Sequence, residues 1–190
     1  MKTYIVLLRG VMPTGKNKVP MAQLRQVLSD AGFQQVRTWI QSGNAVLRSD
    51  LSAKEVELRV HQLIKEHIGP DLAIVVRTGH ELRQMLDNNP FLGDEYPIAR
   101  VFFVSFQESP AEEKVQALLA QDFGQEKLRI DGMSAYMFIP QAFSDSKLSN
   151  NFLERKLGVA ATTRNFNTIT KMIAWAEEEQ DVATPHKISS

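Results

Sequence analysis

One order of predicted strands and helices occurs twice in this chain, and it constrains the fold more than any other feature. In the first copy, residues 4–8 form an apolar run rich in strand-forming types, and apolar residues recur at helical spacing over residues 21–28. Strands follow at residues 36–41 and 45–48, then a helix with an apolar stripe and a last strand at residues 72–76. The order strand, helix, strand, strand, helix, strand is that of the ferredoxin-like fold, in which both helices pack on one face of an antiparallel sheet.

Two local signals support this first copy. Ser42, Gly43 and Asn44 supply the turn residues of a tight hairpin between the two middle strands. Ser52, with Glu55 three positions later, forms a capping box at the start of the second helix.

The same order returns in the second half of the chain. Apolar runs and helical patterns again follow one another as strand, helix, strand, strand, helix and strand, and a further helix closes the series. We therefore predict an α+β protein of two ferredoxin-like (βαββαβ) modules with antiparallel sheets. The predicted strands cover residues 100–106, 128–130, 135–139 and 159–163, and the predicted helices cover residues 110–119, 150–157 and 168–176.

A segment rich in turn residues separates the two predicted modules. Residues 88–97 contain two prolines and a glycine, and a linking helix is predicted just before them. We assign residues 1–88 to the first module with its linking helix, residues 98–178 to the second, and residues 179–190 to a frayed polar tail.

Composition narrows the classes of function. The 190 residues are 43% hydrophobic and 23% charged, with no cysteine and with 22 basic against 22 acidic residues. This is typical of a soluble globular protein, and the lack of cysteine excludes disulfides, thiolate nucleophiles and zinc–thiolate sites. Because the formal charge is zero, a nucleic-acid role would need a local basic patch. No apolar run reaches the roughly 18 residues of a membrane span and no signal peptide is recognised, so we expect a cytoplasmic protein without a membrane partner.

A glycine-bearing loop with three cations follows the first strand. Residues 10–17 read G-x-x-x-x-G-K-N, one residue short of a P-loop, because asparagine stands where a hydroxyl residue would ligate magnesium. The next helix begins too late for P-loop geometry, so we predict no nucleotide-hydrolysing site and no cofactor. Gly10 with Arg9, Lys16 and Lys18 is a candidate for contact with a simple anion, and the alternative is a solvated loop.

The predicted hairpin turn supplies three further candidates. Gln41, Ser42 and Asn44 offer amide and hydroxyl groups that could orient a ligand. Their alternative role is structural, since a tight turn needs residues of these types. Ser42 has no histidine or lysine next to it in sequence, so nothing supports it as a nucleophile.

A polar segment near the C-terminus contains the remaining candidates. Arg164 offers a planar fork for carboxylate or phosphate, and Asn165 and Asn167 offer amides that can read polar edges. The alternative is a helix cap at Asn167 or Thr168, with ordinary packing behind it. Lys147 adds a cation upstream, in a segment with a modest basic excess.

Metal and base-stacking sites find less support in the sequence. The four histidines lack the spacing of metal ligands, so we predict no metal site. Five aromatic residues on strands of the second module could stack bases on an exposed sheet face or belong to the core, and we favour the core. They are Phe102, Phe103, Phe106, Tyr136 and Phe138.

Three short segments resemble one known family. They are Leu7-Leu8-Arg9-Gly10, Gln41-Ser42-Gly43-Asn44 and the run from Thr162 to Thr168. In this order they are similar to the DUF1697 family, a bacterial family of unknown function, and the resemblance extends from Tyr4 to about Ala174. It implies a compact α+β fold and no particular activity. The chain departs from the family where Val-Met-Pro-Thr-Gly replaces the usual Ile-Asn-Val-Gly-Gly after Arg-Gly, and where Phe166 replaces a tryptophan.

The sequence leaves three functions open. The first is a binding module that holds a phosphate-bearing ligand, either a nucleotide or a segment of RNA, in a crevice between the modules. The second is an enzyme whose substrate completes the site, although no local group is identified as its general acid or base. The third is a protein-interaction module. We favour the first, and expect Arg9 and Arg164, one from each module, to approach a common crevice.

Overall fold

The first half of the chain forms an antiparallel sheet with helices against it. The computed structural model describes residues 1–182, and of residues 180–182 it describes the backbone alone. The elements of this half are β1 (Lys2–Leu8), α1 (Met21–Asp30), β2 (Gln34–Trp39), β3 (Asn44–Ser49), α2 (Ala53–His67), β4 (Ile74–Arg77) and α3 (Gly79–Asp87). The strands are ordered β2-β3-β1-β4, and every neighbouring pair is antiparallel.

The second half repeats this arrangement. Its elements are β5 (Val101–Phe106), α4 (Glu112–Leu119), β6 (Lys127–Asp131), β7 (Ser134–Phe138), α5 (Asn150–Leu157), β8 (Ala161–Asn165) and α6 (Phe166–Val182). The strand order β6-β7-β5-β8 corresponds position by position to that of the first sheet, again with antiparallel pairs. The predicted α+β fold of two ferredoxin-like modules is confirmed.

The chain divides into two compact units. The first contains Met1–Leu82 together with Thr170–Ser190, and the second contains Arg83–Ile169. Both α3 and α6 therefore contribute residues to each unit, whereas the sequence placed the closing helix in the second module. Of residues 179–190, expected to form a frayed tail, residues 179–182 instead continue α6, and residues 183–190 lie outside the described residues.

One face of the first sheet packs against α1 and α2. Tyr4, Val6 and Leu8 of β1 lie in a single buried cluster with apolar residues of both helices, among them Leu24 and Val60. The alternation along β1 directs these three side chains to the same face. This is the helix-covered face that the strand order predicts.

The start of α2 is fixed by its own first turn. The Ser52 hydroxyl accepts a hydrogen bond from the Glu55 amide, and a Glu55 carboxylate oxygen accepts one from the Ser52 amide at 2.8 Å. The predicted capping box is therefore confirmed. It satisfies two amide groups that have no partner within the helix.

The opposite face of the first sheet is buried as well. Ile5, Leu7 and Val46 lie on this face and have no exposed surface. At its β2 edge the face carries Trp39, whose ring centroid lies 5.7 Å from that of Trp175 in α6. α6 therefore packs against the sheet of the first unit.

The sheet of the second unit also buries both faces. On one face, Val104 and Phe106 cluster with Leu118 of α4 and Leu153 of α5. On the other face, the Tyr136 hydroxyl donates to the backbone carbonyl of Met85 in α3 at 2.9 Å. Burial raises the pKa of this hydroxyl to about 12.

The five aromatic residues of the second sheet do not form an exposed platform. Phe103, Phe106 and Tyr136 are at most 2% exposed. Phe102 and Phe138 are half-buried and lie on opposite faces of the sheet. Their placement agrees with the core interpretation and leaves this sheet without a shared surface on which bases could stack.

Residues 88–97 form neither helix nor strand, and two side chains anchor them. The Asn89 side chain accepts a hydrogen bond from the Phe91 amide at 3.0 Å and donates one to the Phe91 carbonyl at 3.1 Å. Asn89 and Phe91 are each 5% exposed. A segment with the composition of a linker is thus fastened to the second unit by a local turn and one buried ring.

Candidate functional site

The structure separates the candidate residues into two groups. One group lies at a single end of the first sheet and consists of Arg9, Gly10, Lys16, Lys18, Gln41, Ser42 and Asn44. The other group belongs to the second unit and consists of Lys147, Arg164, Asn165 and Asn167. The common crevice expected for Arg9 and Arg164 stays a prediction.

Residues 9–18, here called the basic loop, are held by their own backbone. The Arg9 amide donates to the Ala73 carbonyl at 2.9 Å, and the Met12 amide donates to the Asn17 carbonyl at 3.0 Å. Gly10 has a φ of +77°, a conformation that favours glycine, and its position has open space for a side chain. The shape of the loop is therefore set without any ligand.

Residues 40–43, here called the hairpin tip, lie directly against the basic loop. The Gln41 side chain donates to the Val19 carbonyl at 2.7 Å, and the Leu8 amide donates to the Gly43 carbonyl at 2.9 Å. A Cβ at Gly43 would lie only 2.8 Å from Leu8 Cβ and from Val11 Cγ2. Glycine is required here because the tip approaches the loop so closely.

Asn44 shapes the hairpin tip from inside. Its side chain is fully buried and donates to the Trp39 carbonyl and to the Ser42 hydroxyl, both at 3.0 Å. These bonds use the amide donors that the sequence offered to a ligand. The structural role left open by the sequence therefore has direct support at Asn44.

The end of the first sheet formed by the basic loop and the hairpin tip is electropositive. Lys16 and Lys18 are exposed, and within residues 1–182 neither forms an ion pair. Arg9 is half-buried at the base of the loop. No acidic residue occurs in residues 9–18 or in residues 31–49, which contain the hairpin. The arrangement can attract an anion to the loop.

Arg164 of the second group is bonded within its own strand. It donates to the Thr162 hydroxyl at 2.6 Å and to the Thr163 carbonyl at 2.9 Å. The residue as a whole is half-buried, but protein atoms surround its guanidinium closely enough that desolvation lowers its pKa to about 10. The sequence placed Arg164 after a strand ending at residue 163, whereas β8 continues to Asn165 and contains it.

The other members of the second group differ in their roles. The Asn165 side chain accepts a hydrogen bond from the Thr168 amide at 2.9 Å and so caps α6. The predicted cap at Asn167 or Thr168 is wrong, because β8 runs directly into α6 and its last residue takes the capping position. Asn167 and Lys147 are exposed.

Sequence reasoning missed a cluster of two tryptophans and two cations in the first unit. We call Arg37, Trp39, Lys171 and Trp175 the aromatic–cation cluster. The Arg37 guanidinium carbon lies 3.9 Å from the Trp175 ring centroid, and Lys171 Nζ lies 4.9 Å from the Trp39 centroid and 5.3 Å from that of Trp175. The sequence did contain a signal for this cluster. Arg37 stands two positions before Trp39 on a strand, and Lys171 stands four positions before Trp175 on a helix, so each cation shares a face with the tryptophan that follows it.

The described residues show no metal site and no membrane-spanning segment. Within residues 1–182 no three histidine, aspartate or glutamate side chains are grouped to hold a metal ion, and no helix combines the length and apolarity needed to cross a bilayer. His61 and Lys65 of α2 instead contact the Asp71 carboxylate at 2.7 and 2.8 Å. Hydrogen bonds from Lys65 and His61 lower the pKa of Asp71. These exposed groups form a surface ion-pair network.

Comparison with known proteins assigns the chain to a family. Residues 1–136 match the family model of DUF1697, described as a protein of unknown function. The chain belongs to this family. In this DUF1697 chain the matched residues include the basic loop and the hairpin tip, whereas Arg164 lies beyond them.

One solved structure has the same fold as this DUF1697 chain. It is that of the conserved bacterial protein SP0830 from Streptococcus pneumoniae, which is 23% identical in sequence, with a TM-score of 0.70. The similarity covers 92% of this chain and 98% of that one. No curated protein matches the chain. The comparisons thus establish the family and the fold.

Proposed function

We propose that this protein binds a phosphate-bearing ligand, either a nucleotide or a segment of RNA, and that the basic loop contacts its phosphates. The observation that carries the proposal is the concentration of Arg9, Lys16 and Lys18 on one fixed loop without an acidic residue. Several cations close together suit a phosphate or a phosphate chain better than an isolated carboxylate, because each can offset one negative charge.

The geometry of the loop favours binding over a purely structural role for its lysines. The backbone of the loop is bonded internally, and the Gln41 side chain of the hairpin tip holds it from one side. The two lysine side chains project from this support into solvent. A site whose backbone is already ordered pays less conformational entropy when a ligand binds.

Arg164 has a smaller part in the proposal than Arg9. Its bonds to Thr162 and to the Thr163 carbonyl already give its guanidinium a structural task. We therefore place the main phosphate contact at the first unit, with Arg164, Asn165, Asn167 and Lys147 as secondary contacts for an extended ligand.

Binding of labelled single-stranded RNA and of a labelled nucleotide, followed by fluorescence anisotropy over a series of salt concentrations, tests the proposal. Lys16→Ala with Lys18→Ala should weaken RNA binding. It should also reduce the slope of log K against log salt by about 1.4, or about 0.7 for each lost contact with a single strand. Inorganic tripolyphosphate should displace both ligands.

The matched control removes two exposed cations elsewhere in the first unit. Lys2 lies at the other end of β1, and Arg59 lies in the middle of α2. The Lys2→Ala, Arg59→Ala variant has the same net charge as the loop variant but should keep most of the affinity. Equal losses in the two variants would show that only overall charge matters and would contradict a site at the loop.

A further inference from the structure

The aromatic–cation cluster lies at the same end of the first sheet as the basic loop. Trp39 is the last residue of β2 and pairs with Asn44 of β3, which in turn pairs with Leu7, two residues before Arg9. Since neighbouring strands are about 4.8 Å apart, Leu7 and Trp39 are separated by about 10 Å across the sheet, and the basic loop begins two residues after Leu7. Phosphate and aromatic contacts can therefore occur along one ligand.

The residue after Trp39 is both strained and exposed. Ile40 has a φ of +47°, in the left-handed region that β-branched residues avoid. Its side chain is nevertheless 50% exposed, so burial in the core does not explain the conformation. The bonds of Asn44 to the Trp39 carbonyl and of Gln41 to the Val19 carbonyl hold the tip in this shape. Strain maintained by neighbouring contacts, with an apolar side chain turned to solvent, indicates a binding surface.

The cluster itself has the chemistry of a surface for unpaired bases. Both tryptophans are half-buried, and a guanidinium and an ammonium lie over their rings. Aromatic rings and the planar guanidinium group are the surfaces on which proteins stack the bases of single strands. Lys171 has a flexible stem, so its ammonium can move from the indole to a phosphate.

We propose that the aromatic–cation cluster and Ile40 contact the bases of a single-stranded nucleic acid whose phosphates lie on the basic loop. This inference rests on the proposed function, because it specifies the ligand of the same site. A single strand fits better than a duplex because a duplex hides the faces of its bases. Glu178 and Glu179 are ion-paired with Arg37 at 2.9 and 3.6 Å, so the charges of Arg37 and Lys171 together balance those of the two carboxylates.

The alternative role of the cluster is to fasten α6 to the edge of β2. The ring contact between Trp39 and Trp175 and the ion pairs of Arg37 join the two elements whatever the ligand. A fastening role predicts that substitutions in the cluster lower stability and leave affinity unchanged. Measuring both the stability and the RNA affinity of each cluster variant therefore distinguishes the two roles.

The chain carries its own reporter for the test. It contains two tryptophans, and both belong to the cluster. Titration with a short oligouridylate should change the intrinsic tryptophan fluorescence in a saturable way, with the same dissociation constant that anisotropy gives. Trp39→Leu should lower the affinity by about 5- to 150-fold, the range expected for the loss of one stacked base.

Ile40→Gly is the decisive variant, because it separates binding from folding. Glycine accepts the left-handed conformation, so thermal unfolding should occur at the same temperature or higher. RNA affinity should nevertheless fall severalfold, since the apolar contact is lost. Phe143→Leu, at a 40% exposed ring in the second unit, is the matched control and should bind as the parent does.

The outcomes distinguish this inference from the proposed function. If oligouridylate binding depends on Lys16 and Lys18 while tryptophan fluorescence and the Trp39 and Ile40 variants show no effect, the base-contact inference is overturned and the loop site stands. If fluorescence responds but the lysine variant and tripolyphosphate have no effect, the loop site fails instead. Parallel titration with oligothymidylate shows whether the 2′-hydroxyl contributes, and equal affinities mean that single strands of both kinds are ligands.

Discussion

Arg77 of β4 and Arg164 of β8 occupy equivalent positions in the two sheets. Arg77 lies opposite Ile5 of β1, and Arg164 lies opposite Phe103 at the corresponding position of β5. Each guanidinium donates to the backbone carbonyl of the residue before it, at 2.8 and 2.9 Å. Burial lowers the pKa of both groups. The two modules therefore share a buried polar detail in addition to their strand order.

Removal of the Arg164 side chain should destabilise the protein. Arg164→Met leaves the Thr162 hydroxyl and the Thr163 carbonyl without their present donor, so the free energy of unfolding should fall by about 1–3 kcal/mol. Urea denaturation followed by circular dichroism measures the change. Arg129→Met is the control, because Arg129 lies in the same row of the sheet but is exposed. Equal stabilities of the two variants would contradict a structural role for Arg164.

Tyr136 should make the protein less stable at high pH. The folded-state pKa is about 12, whereas an unfolded tyrosine ionises near 10, so the folded chain holds more protons between these values. Stability present below pH 10 is therefore lost as the pH rises towards 12, by roughly 1 kcal/mol between pH 9 and pH 11.

The variant Tyr136→Phe isolates this effect. The difference in unfolding free energy between the parent and Tyr136→Phe should shrink by roughly 1 kcal/mol between pH 9 and pH 11. Tyr96→Phe, at a half-exposed ring, is the matched control for loss of a hydroxyl. A constant difference between parent and Tyr136→Phe over this range would refute the linkage.

Gly43 should tolerate alanine less well than Gly10. Both have a positive φ, +89° and +77°, so each alanine variant carries the strain of the left-handed region, about 1–2 kcal/mol. Only at Gly43 would the added Cβ also meet Leu8 and Val11, at 2.8 Å, which adds about 1–3 kcal/mol. Chemical denaturation of the two variants gives the comparison. Equal losses would mean that the tip can move away from the loop.

Asn165 and Asn167 should differ in their contribution to α6. Asn165→Ala removes the side chain that accepts from the Thr168 amide, and should cost about 0.5–2 kcal/mol. Asn167 is exposed within the first turn, so Asn167→Ala should change stability by less than about 0.5 kcal/mol. Thermal unfolding of both variants decides between the observed cap and the one expected from the sequence.

Much of the candidate site could be predicted because its signals are local. The glycines and cations of the basic loop and the turn residues of the hairpin tip are separate short segments, each with a recognisable composition. What could not be predicted is that Gln41 bonds to Val19 and that Gly43 packs on Leu8, which fixes the tip against the loop. That contact depends on the register of β1 and β3, and a pattern within one strand does not determine its register with another.

The sequence by itself determined the order of the elements and several of their ends. The capping box at Ser52 and the turn before Asn44 involve residues a few positions apart, so their energies depend little on the rest of the fold. Periods of 2 and 3.6 likewise identify each element and its apolar face, although the energy of that face comes from packing. Only the tertiary structure decided what covers the second face of the first sheet, where Trp175 of α6 meets Trp39 of β2. That contact joins residues far apart in the sequence. It forms because the surfaces of the assembled elements are complementary, and complementarity of this kind cannot be read from either segment alone.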